Sequence, residues 1–160
     1  MPLSAIYSAI KTQMQAVSGM GIVHDYARWT PTWPGFLSLY KTTGGIINGW
    51  AFGRVAMQQR HASLGAIEQA HVILFRGVYG LDDSAATEKT FQTQIDAMVT
   101  KFNDADNEDL GGACLTINPD WGPMDGAVGL QVDRIDHRLF GTVLCHYAEC
   151  RLCAIETLPC

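Results

Sequence analysis

The sequence predicts an α+β protein: an antiparallel or mixed β-sheet, two amphipathic helices packed on it and a long projecting β-hairpin. Two apolar stripes at helical spacing point to the helices: Leu3, Ile6, Ile10, Met14 and Val17, then Phe91, Ile95, Met98, Val99 and Phe102. Long runs at 50–60, 66–79 and 138–158 have strand character instead. The elements follow one another as helix, strands, helix, strands, with no repeat and no linker, which suits one domain over residues 1–160. A chain of this length buries roughly 70% of its unfolded surface, enough for a core without metal or disulfides.

The first helix is expected over about residues 3–18. Pro2 stands where its missing N–H does no harm, and Gly19 and Gly21 permit the turn beyond the last residue. A short strand over 22–28 should follow. The prolines at 31 and 34 then predict a loop over residues 30–35, with Trp29 and Trp33 as anchoring aromatics. Residues 36–41 suit another short strand, and Gly44 and Gly45 mark a turn.

The hairpin comprises residues 50–60 and 66–79, joined across 62–65. Val72, Leu74 and Val78 alternate with Ile73, Phe75 and Tyr79, so both faces of its second strand should be covered. Gln58, Gln59, Arg60 and His61 are polar on both sides, so this end should project beyond the body of the domain.

A second long helix is expected over residues 85–102, capped by Ser84 with Asp82 and Asp83 at the positive end of its dipole. An acidic loop spans 103–109, and Pro119 to Gly126 is rich in turn residues. Val128, Leu130 and Val132 alternate with polar residues in a strand over 128–136, which turns near 137–141 into the final run. In that run Phe140, Thr142, Leu144, His146, Ala148, Cys150, Leu152 and Ala154 share one largely apolar side. Val143, Cys145, Tyr147, Glu149, Arg151, Cys153 and Ile155 form a mixed second side. Leu144, Ala148 and Leu152 also fit a helix, but the β-branched, aromatic and cysteine content and the missing N-cap favour a strand.

An apolar content of 48% and a charged content of 17% exclude disorder. The net charge of −5 argues against a partner held by phosphate neutralisation, although Arg54, Arg60 and Arg76 form a locally basic group in the middle of the chain. The five cysteines, at 114, 145, 150, 153 and 160, are odd in number and crowded towards the end. They suit a reducing cytoplasm better than a secreted disulfide framework. The start of the chain lacks a signal peptide's basic and apolar regions, and no run approaches the roughly 18 apolar residues of a membrane span.

No catalytic, metal or cofactor constellation survives inspection. His146, Cys150 and Cys153 form H-x-x-x-C-x-x-C, but on a strand the two thiols point to opposite faces, and no fourth zinc ligand stands at a sensible spacing. Cys145 and His146 are likewise on opposite faces, and His24, His61, His71 and His137 are scattered. Asp104, Asp106, Glu108 and Asp109 lack the glycine and closing glutamate of a calcium loop. Gly44 to Gly53 lacks the Lys-Ser/Thr of a phosphate loop, and Gly19-Met-Gly21 follows a helix where a dinucleotide fingerprint follows a strand.

Four features together resemble the tail terminator proteins of long-tailed bacteriophages: the amphipathic first helix, the hairpin within residues 50–79, the stretch Tyr79-Gly-Leu-Asp-Asp-Ser84 leading into Glu88-Lys-Thr-Phe91, and Phe140-Gly-Thr-Val-Leu-Cys-His-Tyr-Ala-Glu149. The resemblance implies a non-enzymatic structural protein without cofactors. Such a protein forms a ring, commonly a homohexamer, on the head-proximal end of the tail tube. It ends tube polymerisation and offers a surface for head attachment. The implied partners are further copies of the chain, the major tail tube protein and a head–tail connector or neck protein. DNA passes through the lumen without specific binding, and no membrane is involved. The expected location is the virion, after assembly in the host cytoplasm. Under this resemblance Trp50, Arg54, Gln58, Arg60 and His61 of the hairpin are the candidate subunit contacts. The rival readings are another neck or tail-completion component and a small Cys/His metalloprotein or enzyme.

Overall fold

A computed structural model describes residues 2–159 and places the last apolar run beside the central strand of a five-stranded mixed sheet, one strand in from its edge. Among the described residues there are three α-helices, α1 (Leu3–Gln15), α2 (Trp33–Tyr40) and α3 (Thr87–Phe102). The strands are β1 (Ile22–His24), β2 (Asn48–Ser63), β3 (Ala66–Gly80), β4 (Gln131–Phe140) and β5 (Val143–Pro159). Their spatial order is β1-β2-β3-β5-β4. Long antiparallel hairpins β2–β3 and β4–β5 lie side by side, with β5 paired to β3 from Gly80↔Cys145 to Ala66↔Pro159. Only β1 runs parallel to its neighbour, pairing Ile22–His24 with β2 residues 49–51.

The expected stripes of α1 and α3 bury Ile6, Ile10 and Met14, and Phe91, Ile95, Met98 and Phe102, in one cluster with Trp50, Phe52, Ile73, Phe75, Ala148, Cys150 and Leu152 of the sheet. Hydrophobic burial from both helices and three strands therefore converges on one side of β5. Trp50 lies across the backbone of Gly77, its register partner: a Cβ on Gly77 would sit 2.5 Å from the indole ring. Glycine is required there by this close approach.

The opposite face is covered in two separate places. Near the β1 end of the ladder, Phe36, Leu39 and Tyr40 of α2 pack on Val78 and Tyr147. Further along, Trp121 and Met124 cover Ala70, Val72, Cys153 and Ile155. The second side of β5 is thus largely buried at Tyr147, Cys153 and Ile155, where a mixed face was expected.

Helix α2 replaces the loop and short strand expected over residues 30–41. Thr32 is its N-cap, with Oγ1 accepting from the Gly35 amide at 3.2 Å. Pro34 falls in the first turn, where an absent N–H is tolerated, so the proline expected in a loop belongs to a helix start. Other boundaries shift. β1 stops at His24 instead of residue 28, β4 starts at Gln131 instead of 128, and the turn into β5 falls at residues 141–142. Ser84 does not cap α3. The helix begins at Thr87 after Ala86 in the left-handed region (φ 51°), while the Asp82 carboxylate accepts from Ser84 Oγ and the Ala85 amide.

The long hairpin changes character along its length. Residues 48–52 are buried, whereas every β2 residue from Arg54 to Ser63 is exposed. Beyond β1 the outer edge of β2 has no strand partner among the described residues. The hairpin does not extend alone: β5 accompanies β3 to its end, so the extension is three strands wide. A register shift between Arg54 and Ala56 leaves Val55 as an extra residue and reverses the faces of residues 56–61, up to a second shift between His61 and Ser63.

Candidate functional site

On the α2 side of the sheet, a groove of about 140 Å³ opens between residues 27–30, α2 and the middle of β2 and β3. Its walls are aromatic. Phe36 stacks on Phe140 with ring centroids 4.7 Å apart, and Trp33 stacks on Phe36 at 5.3 Å. Trp29 stands at the mouth, 73% exposed, with the Arg76 guanidinium 5.5 Å from its ring centre. The Arg28 guanidinium lies 4.9 Å from the ring centre of Tyr26. Cations held against aromatic faces keep their charge while losing side-chain freedom.

The groove is poor in groups that move protons. Its lining holds no carboxylate, thiol or imidazole, and its two phenols are poor proton donors. Burial raises the Tyr40 pKa against the opposing pull of Arg28 and Arg76, and Tyr40 Oη donates to the Arg28 carbonyl at 3.3 Å. Burial, and then Glu149, push Tyr147 up to about 12, its hydroxyl donating to Glu149 Oε1 at 2.7 Å. Glu149 also faces Arg138 at 3.6 Å, which draws its charge away from Arg76 opposite it on β3.

The predicted contact residues do not form one surface. Trp50 is fully buried and donates through Nε1 to Gln94 Oε1 at 3.0 Å, so it belongs to the protomer core and offers nothing to a neighbour. Gln94 Nε2 in turn donates to Asn48 Oδ1 and the Gly19 carbonyl. After the register shift, Gln58 and Arg60 stand on the α2 side, whereas Arg54 and His61 stand on the side of α1 and α3. Arg60 is held within its own protomer by Glu68 at 2.8 Å, by Asp120 at 3.6 Å and by the Trp121 ring 4.5 Å away.

Sequence reasoning missed a buried polar chain on the helix-bearing side. Arg54 Nη1 approaches His71 Nδ1 at 3.4 Å, and His71 Nε2 lies 2.8 Å from Glu156 Oε1. With a guanidinium on Nδ1, the imidazole accepts there and donates from Nε2 to the carboxylate. His71 and Glu156 are 1% and 4% exposed, so their contact offsets part of the burial of both polar groups. The available signal was a polar residue inside each of two apolar runs, at His71 and at Glu156.

The cysteines are poor nucleophiles where they stand. Cys150 packs under the helices and Cys153 on the opposite face, as strand alternation requires. Burial is the main cause that pushes Cys114 and Cys150 up to about 12 and Cys153 up to about 11, and it raises Cys145 too. Cys114, Cys145, Cys150 and Cys153 are free thiols, and Cys160 lies outside the described residues. The thiolate fraction needed for redox or nucleophilic chemistry is therefore very small. His137 and His146 lie with ring centroids 5.0 Å apart, and His146 Nε2 is 2.9 Å from Thr87 Oγ1. Burial, then His137, lower the His146 pKa. Among the described residues no group of three or more His, Cys, Asp or Glu side chains is placed to hold a metal, and no helix is long and apolar enough to cross a membrane.

No protein-family model matches the chain, and no curated protein matches it.

Proposed function

We propose that the chain is a structural component of a phage tail, a terminator whose copies form a ring on the head-proximal end of the tail tube. Six copies at −5 each carry roughly −30 in total, a charge suited to a lumen through which DNA slides without sticking. The ring ends tube polymerisation and presents its other side to a connector or neck protein. The observation that carries this reading is the outer half of β2: from Arg54 to Ser63 it is exposed, and its free edge is unpaired among the described residues. A sheet extended beyond its helices gains little stability for one protomer and provides contact surface for another. The projecting part is the three-stranded end of β2, β3 and β5, which supports the expected arm in a broader form.

Negative-stain microscopy and mass photometry of the purified full chain, alone and with tail tubes, test the reading. Rings that cap one end of each tube are expected. In lysates lacking the protein, tails should be irregular or over-long and fail to join heads. Normal-length tails joined to heads would refute the terminator role, and tails of normal length that fail to join heads would assign the chain to another neck position.

A further inference from the structure

The protomer is electrically lopsided. Between residues 82 and 109 there are eight carboxylates and only two lysines, Lys89 and Lys101. On the other side of the sheet, Arg28 and Arg76 flank the aromatic groove, and neither has a carboxylate within ion-pair distance among the described residues.

The acidic segment ends in a built protrusion. Leu110, Gly111 and Gly112 take consecutive positive φ values of 53°, 68° and 83°. This tight reversal is anchored by Leu110, Cys114 and Ile117 in the core beneath α1 and α3. The Cys114 amide donates to the Asp109 carbonyl at 3.1 Å, and the Ile117 amide to the Glu108 carbonyl at 2.7 Å. Leu115 is then fastened to β5 through its amide and the Ile155 carbonyl, yet remains 54% exposed. It is an apolar knob on an acidic loop.

We propose that the groove receives the 104–115 loop of a second copy, with Leu115 entering between the aromatic walls and the loop's carboxylates meeting Arg28 and Arg76. This inference rests on the ring reading and names its interface. The knob's loop is anchored in the core beneath α1 and α3 and bridged to β5, whereas the groove lies on the α2 side, so the contact joins two unlike patches. Such a contact leaves a free knob and a free groove on every pair and propagates until rotation closes it. Opposite charges around an apolar centre also set the register and disfavour groove-to-groove pairing.

Charge exchange in the full chain tests the pairing. Arg28→Glu with Arg76→Glu should raise the apparent dissociation constant of the ring at least about tenfold, and Asp106→Arg with Asp109→Arg should do the same. All four substitutions together should restore assembly to within about threefold of wild type. Leu115→Ser gives a charge-neutral check, and far-UV circular dichroism with thermal melts confirms that each variant is folded. Rings unaffected by either charge reversal, or folded four-fold variants that fail to recover, would overturn the inference while leaving the ring itself standing. A wild-type chain that stays monomeric at every concentration, alone and on tubes, would instead remove the ring reading and this interface with it. Rings that persist in Arg28→Glu/Arg76→Glu but no longer hold tail tubes would assign the groove to the tube subunit and overturn the second-copy occupant.

Discussion

The two halves of β2 share one backbone ladder with β3 but live in different surroundings. In residues 48–53 the indole of Trp50 and the ring of Phe52 are sealed beneath α1 and α3, whereas residues 54–63 are exposed. The inner half also pairs with β1 along its other edge, so the difference combines side-chain burial with a second ladder of hydrogen bonds. Stability should therefore be unequal along a single strand, with the inner half opening only on global unfolding and the outer half opening locally.

The strongest way to break the inner half is a charge at its centre. Ala148 is fully buried on β5, opposite Gly77 and against the Trp50 cluster, so Ala148→Arg should abolish cooperative folding. A circular dichroism melt of that variant with a wild-type midpoint would contradict the assigned face. Leu152→Ala removes three buried side-chain carbons, a milder change, and should cost about 2 to 5 kcal/mol in urea titration.

Acid should sharpen the contrast less drastically. His146 is buried on the helix-bearing side, and its lowered pKa means that the folded state binds a proton less readily than the unfolded chain. Its contribution is present above the unfolded histidine pKa and is lost as pH falls through the lower folded value. The melting midpoint should drop as pH falls below about 6.5, and His146→Gln should flatten that part of the curve. An equal slope in both proteins would assign the acid response elsewhere.

The smallest effect belongs to the end of the extension. Leu64 is fully exposed at the turn, so Leu64→Ser should change folding stability by no more than about 0.5 kcal/mol. Hydrogen exchange read residue by residue should then protect amides of residues 48–53 more strongly than those of 56–63. Equal protection in the isolated protomer would mean that the extension is held as firmly as the core.

The sequence by itself determined what depends on local period. The buried stripes of α1 and α3, the β2–β3 pairing, the strand character of β5 and the opposed directions of Cys150 and Cys153 all follow from spacing within one segment. Parts of the groove were also legible, since Trp29, Trp33 and Arg76 stood out as residues, although nothing in their spacing joins them. Tertiary structure decided the rest. Helix α2 is eight residues long, too short to persist by its own propensity, and it is held by Phe36, Leu39 and Tyr40 on Val78 and Tyr147. The parallel placement of β1, the register shift at Val55, the burial of Trp50 away from any neighbour and the His71–Glu156 contact likewise depend on partners distant in the chain. Local pattern reports which side of an element is apolar, but only packing chooses what covers it, because the burial energy is shared between segments that no single stretch of sequence contains.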